Sequence, residues 1–348
     1  MSSSGYNMRK CRRYVLALIA LVVSVYVLAS VRSLSSQEPK TPSRVLLAGN
    51  FLARTSTPSS FSRNTSFTAL PWSFREERLD MMCKSSRKCC SVQTLTPAEK
   101  RVLYQHILVN DKFKFLYCFV PKVACSNWKR VLKVIDGYLN NSDWYSKMDH
   151  NVGLTHLSDL SEQEAEHRLE NYYKFTFVRE PLTRLLSAYR NKFGEKFPAF
   201  MKRYGVKIVK RYRPNAESNP TGDDVTFSEY LQYLIEEDVN KMDMHWAPMH
   251  ELCQPCAVNY DFVGTFENLD ADVEYVLKQT GADQVVHFPN RQKYYKPTTQ
   301  NVLWEELSKV PRIYINDIVS KYALDFALFS YPVQKFEDKV NSSHISAR

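Results

Sequence analysis

Glycine is scarce in this chain, nine residues in 348. That excludes collagen-like segments, glycine-rich repeats and long flexible linkers, and no internal repeat is visible. There is no Gly-x-x-x-x-Gly-Lys-Ser/Thr run either, which disfavours an ordinary nucleotide kinase. A kinase would also need a set of metal-binding carboxylates, and none stands out. No His/Asp/Glu cluster shows metal-ligand spacing, so no metal is expected. Long apolar runs are nearly absent too. The exception is residues 14–31, eighteen positions without a charge.

That run bears on location. Arg9, Lys10, Arg12 and Arg13 precede it and hold the N-terminus in the cytoplasm. A membrane span takes about 20 residues, so the run is short. It is still longer than the roughly 7–15-residue core of a cleaved signal peptide, and Ala29-Ser30 is a partial cleavage match only. The sequence therefore predicts a cytoplasmic tail (1–13), a transmembrane signal-anchor helix (14–31), a lumenal stem (32–99), a folded domain (100–335) and a C-terminal tail (336–348). A short span suits the thinner membranes of the early secretory pathway, and the expectation is a single-pass type II membrane protein. Asn64, Asn140 and Asn341 head glycosylation sequons, in keeping with a lumenal body.

Basic residues outnumber acidic ones, for a formal net charge of +10. Such a balance calls for polyanionic company. In a lumenal compartment nucleic acid is out of reach, leaving a phosphate-rich co-substrate or an acidic polysaccharide. Of eight cysteines Cys11 is cytoplasmic and seven are lumenal, an odd number that leaves at least one thiol free or paired with another chain. Cys253-Gln-Pro-Cys256 is read as a local disulfide rather than a redox motif or half a zinc site.

Three strand–loop–helix units follow one another. Residues 113–120 form an aromatic and apolar run that reads as a buried strand. After a loop, Trp128, Val131, Leu132 and Ile135 fall on one helical face, with Gly137 to close the helix. Residues 172–178 make a second strand, with Pro181 at a helix start and Leu182, Leu185, Leu186, Tyr189 and Phe193 along one face. Residues 260–266 make a third, leading to a helix over 270–280 that stops at Gly281. This alternation predicts an α/β fold, a parallel central sheet flanked by helices, with its ligand at the carboxyl ends of the strands.

The first loop puts Lys122 between a buried strand and a helix N-terminus, where backbone N–H groups converge on an anion; Ser126 and Asn127 add donors. The second puts Arg179, a bidentate phosphate gripper, at a strand end and Ser187 two helical turns later. Each has a plain alternative: a turn with a solvated Lys122, and a helix-start ion network of Arg179, Glu180 and Arg184.

Together, strand–Pro-Lys-x-x-x-Ser–helix and strand–Arg-x7-Ser–helix resemble the sulfotransferases that use 3′-phosphoadenylyl sulfate, which have a P-loop-like fold. Residues 115–130, 177–182 and 187–193 are similar to the Golgi carbohydrate sulfotransferases, the chondroitin, dermatan, N-acetylgalactosamine and HNK-1 group. Residues 147–150, 222–227 and 253–258 place the dermatan 4-O-sulfotransferases nearest. The resemblance implies that Pro121, Lys122, Val123, Ala124, Cys125, Ser126 and Asn127 bind the 5′-phosphosulfate, with Lys122 catalytic on the leaving oxygen. It implies that Arg179, Glu180, Pro181, Leu182, Thr183, Arg184, Leu185, Leu186 and Ser187 bind the 3′-phosphate. Trp128 lies either near the adenine or in the core. From Lys122 to Trp128 the loop is one residue longer than the cytosolic enzymes' Pro-Lys-Ser-Gly-Thr-Thr-Trp.

The activity so implied is sulfation of position 4 of N-acetylgalactosamine in dermatan sulfate. The alternatives are a chondroitin 4-O- or related glycan sulfotransferase, and a non-catalytic glycan-binding protein. For the general base the reading favours His150, with Glu180, His156 and His245 as alternatives. Lys202, Arg203, Lys207, Lys210 and Arg211, with Arg213 beyond, form a basic stretch suited to a glycosaminoglycan acceptor, or else a solvated helix face.

Overall fold

The computed structural model describes residues 72–85, 91–140, 149–150, 152–215, 218–289 and 297–333. In chain order come α1 (Trp72–Ser85), α2 (Pro97–His106), β1 (Ile107–Asn110), β2 (Phe115–Cys118), α3 (Cys125–Ile135) and β3 (Thr155–His156). Then follow α4 (Glu162–Asn171), β4 (Tyr173–Val178), α5 (Pro181–Tyr189), α6 (Val206–Tyr212), α7 (Phe227–Glu236), α8 (Met249–Cys253) and α9 (Pro255–Val258). β5 (Phe262–Thr265), α10 (Leu269–Thr280), α11 (Gln300–Leu307), α12 (Arg312–Lys321) and α13 (Ala323–Leu328) complete the described body.

The strands form one sheet in the order β3-β1-β2-β4-β5. The three strands expected from the sequence are its parallel half: β2 pairs with β4, and β4 with β5. The expectation of a wholly parallel sheet is corrected at the other side, where β1 runs antiparallel to both β2 and β3. β1 and β2 form a hairpin whose turn needs only local chemistry: the Phe113 N–H donates to Asn110 Oδ1 at 2.9 Å, and Lys114 takes φ 51°. The predicted first strand is thereby shortened to four residues. β1 was missed because its apolar residues continue from α2 without a break.

β2, β5 and the second half of β4 are buried at successive positions, as strands covered on both faces must be. Between β2 and α3 the core is aromatic. Trp128 is fully buried against Tyr117, Phe175 and Phe177 with ring centroids 4.8–5.5 Å apart, so of its two readings the core one holds. Gly281 ends α10 at φ 72°, as its position suggested.

α1 lies within the segment assigned to the stem, yet it belongs to the folded body. Buried Arg75 donates to the Val263 carbonyl at 2.8 Å and pairs with Asp272 at 3.4 Å. Among the described residues the disulfides are Cys83–Cys256 and Cys118–Cys253, which corrects the expected Cys253–Cys256 pair. Gln254, at φ 43°, breaks the chain between α8 and α9, so the two thiols serve different neighbours, α1 and β2. Cys125 is free.

The expected membrane span, Asn64, Asn341, Cys89 and Cys90 lie outside the described residues. No described helix is long and apolar enough to cross a membrane. Asn140 is exposed.

Candidate active site

The chemistry-bearing loops sit where β2 and β4 end. Residues 121–124 turn sharply, with Lys122 at φ 71° and Ala124 at φ 56°. Left-handed backbone costs a non-glycine residue roughly 1–2 kcal/mol, and such strain gathers at functional positions. Left-handed residues on either side of Val123 give the alternation that turns successive N–H groups to one side and makes an anion-binding concavity. Ala124 is the N-cap of α3 and brings no capping side chain, and the first turn holds no acidic residue. Among the described residues nothing accepts the N–H groups of Val123, Ala124, Cys125 and Ser126. The positive end of an eleven-residue helix is thus left open.

Lys122 stands beside this opening. Burial first, then the cations Lys192 and Arg179, lower its pKa to about 8, so it stays protonated in neutral and mildly acidic solution. Val123 is buried beneath the loop, while Cys125, Ser126 and Asn127 are half-buried. Asn127 Oδ1 accepts from Arg130 at 3.1 Å, which turns that side chain along the helix.

The second loop is built otherwise. Glu180 caps α5: its carboxylate accepts the N–H of Leu182 at 3.0 Å and of Thr183 at 2.6 Å, and the Thr183 hydroxyl at 2.5 Å. The amides expected to meet a phosphate are therefore taken, and both Glu180 oxygens are engaged in the cap. Pro181, Leu182, Leu185 and Leu186 are buried and serve packing.

Arg179 is buried, donating to the Lys122 carbonyl at 3.1 Å and the Thr298 carbonyl at 3.0 Å, with its guanidinium carbon 4.1 Å from the Phe266 ring centre. Arg184 is a brace. It reaches Pro121 O at 3.1 Å, Met244 O at 3.1 Å and Ala247 O at 2.8 Å, so neither a phosphate contact nor an ion network describes it. Ser187 is buried one turn before Arg190, which donates to Pro297 O at 3.1 Å and Thr298 Oγ1 at 3.2 Å. Of the residues assigned to the 3′-phosphate, Arg179 and Arg184 are both held by backbone carbonyls, and Ser187 is buried.

The structure adds a residue the sequence reading passed over. α5 continues as a π-helical turn, residues 190–194, in place of the α-helix expected through Phe193. The wider turn changes the register, and Lys192 comes inward with its ammonium 4.8 Å and 4.4 Å from the ring centres of Phe197 and Phe200. π-turns of this kind are frequent at functional sites. Burial lowers the Lys192 pKa, and its charge in turn acts on Lys122, His150 and His245.

The histidines separate clearly. His156 Nδ1 is 2.8 Å from the Gln105 carbonyl at the sheet edge, a structural bond. His150 is exposed, and no described residue holds its ring. Partial desolvation and then Lys129, Lys192 and Arg130 lower its pKa to about 4. His245 is mostly enclosed, with Nδ1 2.6 Å from Asp243 Oδ1.

The basic stretch divides. Arg213 is paired with Asp224 and Glu229, and Arg211 with Glu236. Lys202, Arg203, Lys207 and Lys210 are exposed along α6 and the π-helical turn before it. A loop crosses this helix at Gly205, where an added Cβ would lie 2.1 Å from the Gly222 carbonyl oxygen, so neither glycine tolerates a side chain. Among the described residues no group of three His, Cys, Asp or Glu side chains is placed to hold a metal.

Comparison with known proteins places the chain in a family. The chain matches the sulfotransferase family over residues 105–332. It is 50% identical to carbohydrate sulfotransferase 14 of Danio rerio over 261 residues, 74% of this chain and 71% of that protein. The Mus musculus protein of the same name is 54% identical over 239 residues, 69% of this chain and 63% of its own. Carbohydrate sulfotransferase 11 of Rattus norvegicus is 36% identical over 280 residues, 77% and 78% of the two chains. No solved structure matches at a significant level. With a matched region that carries both strand-end loops, the chain belongs to the sulfotransferase family.

Proposed function

We propose that the chain is a carbohydrate sulfotransferase that moves the sulfuryl group of 3′-phosphoadenylyl sulfate to position 4 of N-acetylgalactosamine in dermatan. The observation that carries the reading is the open N-terminus of α3, with four amides lacking acceptors among the described residues and Lys122 at its edge. These residues fit a phosphosulfate: strained backbone N–H groups, a helix dipole and one ammonium, with no carboxylate among residues 121–127. In this reading Lys122 neutralises charge growing on the leaving oxygen, while Arg179 and Ser187 flank the 3′-phosphate. The relatives' shared name, and the likeness of residues 147–150, 222–227 and 253–258 to dermatan enzymes, support the acceptor class. The exposed Lys202, Arg203, Lys207 and Lys210 supply cations to track an acidic glycan. A Golgi membrane anchor at residues 14–31, with the body in the lumen and sugars on Asn64, Asn140 and Asn341, completes the proposal.

The test is radiolabelled sulfate transfer by the purified full-length chain, offered desulfated dermatan and unsulfated chondroitin side by side. Transfer favouring dermatan is expected, and Lys122→Ala should lose about 10²–10³-fold in rate. A preference for chondroitin keeps the chemistry and changes the acceptor. No transfer and no binding of adenosine 3′,5′-bisphosphate would overturn the reading.

A further inference from the structure

The sulfotransferase reading leaves open which group deprotonates the acceptor hydroxyl, and three features of the structure converge on one. First, Asp243 shapes the short turn it begins: its carbonyl accepts the N–H of Trp246 at 3.0 Å and of Ala247 at 2.8 Å, and its carboxylate accepts the N–H of His245 at 3.0 Å. The same carboxylate holds His245 Nδ1 at 2.6 Å, and Tyr204 donates to its other oxygen at 3.3 Å. A ring held this way carries its proton on Nδ1 and leaves Nε2 as a lone-pair acceptor, and Nε2 bonds to no described residue. Second, the turn is fixed to the donor loop. Arg184 grips Met244 O and Ala247 O on either side of His245 and Pro121 O next to Lys122. Third, the Phe200 ring stands edge-on to the imidazole at 5.3 Å. Phe200 is also the ring on which Lys192 rests, so the turn, the π-helical lysine and the donor loop meet at one place.

We propose that His245, held by Asp243, is the base that takes the proton from the acceptor hydroxyl. The proposal rests on the sulfotransferase reading above. In the step it serves, the hydroxyl proton passes to Nε2 of the neutral imidazole as the hydroxyl oxygen bonds to sulfur. The bond from sulfur to the donor's phosphate oxygen breaks, and its electron pair stays on that oxygen. The imidazolium so formed is stabilised by Asp243, the arrangement by which a buried carboxylate supports a histidine base elsewhere.

The charged surroundings suit a base that must start neutral. The positive charges of Lys192 and Lys122 act on the ring, His150 and His245 act on each other, and Asp243 opposes the lysines. Burial first, and the two lysines after it, bring the His245 pKa below its ordinary value in spite of Asp243. The neutral imidazole therefore persists further into acid than an ordinary histidine would. kcat/KM should fall as pH drops through that lowered value.

The experiment is kinetic, on the full-length chain with 3′-phosphoadenylyl sulfate and desulfated dermatan, alongside calorimetric binding of adenosine 3′,5′-bisphosphate. His245→Asn should lower kcat by about 10²–10⁴-fold and abolish the acidic limb of the pH profile, with bisphosphate binding preserved. Asp243→Asn should lower kcat less and move the acidic limb to still lower pH, because it removes the charge that raises the ring's pKa. A purely structural role for Asp243 would leave that limb in place. His245→Asn that binds the nucleotide and keeps kcat within about threefold of wild type overturns the assignment alone. A wild-type chain that binds no bisphosphate overturns the sulfotransferase reading, and this assignment with it.

Discussion

At the end of β4, α5 starts on a glutamate whose two oxygens take three donors; at the end of β2, α3 starts on an alanine that takes none. Several other helices follow α5, while α10 and α12 carry no side-chain cap. Thr96, Ser161 and Thr226 close α2, α4 and α7 with capping boxes, and Thr299 caps α11. α8 is closed from a distance: Asp325 of α13 accepts the N–H of Met249 at 2.7 Å and of His250 at 3.0 Å. A cap contributes about 1 kcal/mol, and the left-handed residues of 121–124 add strain on top. Stability gives no reason for the first loop to be built this way, whereas an incoming anion does. The second loop serves by holding: its arginines fix the first loop and the His245 turn, and its glutamate shuts its own helix.

The contrast can be broken by giving the first loop a carboxylate of its own. Ala124→Asp keeps a residue type that tolerates left-handed backbone and sets an anion at the open amides. Binding of adenosine 3′,5′-bisphosphate should weaken by about 100-fold or more, the scale of removing one good oxyanion contact. Isothermal calorimetry on the variant and wild type reads this directly, and unchanged affinity would mean that the amides do not face the ligand.

The cap on α8 sharpens the comparison through pH. Burial opposes charging His250, but its hydrogen bond to Asp325, 2.7 Å away, and the nearby Glu251 raise its pKa to about 9. The unfolded value is near 6.5, so this stabilisation is complete below that pH and is lost as pH rises through about 9. At about 1.4 kcal/mol for each tenfold step, the loss is on the order of 3 kcal/mol. Thermal melts should fall over that window in wild type and stay flatter in His250→Gln.

Smallest of all should be Glu180→Ala. Opening the second helix should cost about 1 kcal/mol of stability by denaturant titration, while bisphosphate affinity changes by less than about fivefold, since its amides were never the seat. A tenfold gain or loss would put a phosphate on the amides at the start of α5.

Much of this was legible in the sequence. Apolar runs marked the parallel strands, helical periodicity marked α3 and α5, Gly281 marked the end of α10, and Pro-Lys-x-x-x-Ser with Arg-x7-Ser marked both strand-end loops. What stayed hidden depends on contacts far apart in the chain or on backbone detail. Cys253 and Cys256 bond to residues 135 and 173 positions away, which no local spacing encodes. Lys192 enters the site through a π-turn, and no periodicity argument foresees one extra residue per turn. Glu180 looked like a phosphate neighbour or a base, yet Glu before Pro at a helix start can equally be a cap, as its bonds to residues 182 and 183 show. Asp243-x-His245 is a two-residue spacing common in any chain. It gains meaning because Arg184 sets that turn beside Lys122.

The central claim is that the donor nucleotide sits on the amides of the first loop and not on those of the second. Hydrogen exchange followed by mass spectrometry, with and without saturating adenosine 3′,5′-bisphosphate, tests it on the unmodified full-length chain. Slowed exchange at residues 123–126 is predicted, with Leu182 and Thr183 slow in both states because Glu180 already holds them. No change at residues 123–126, together with new protection at 182–183, would contradict the account.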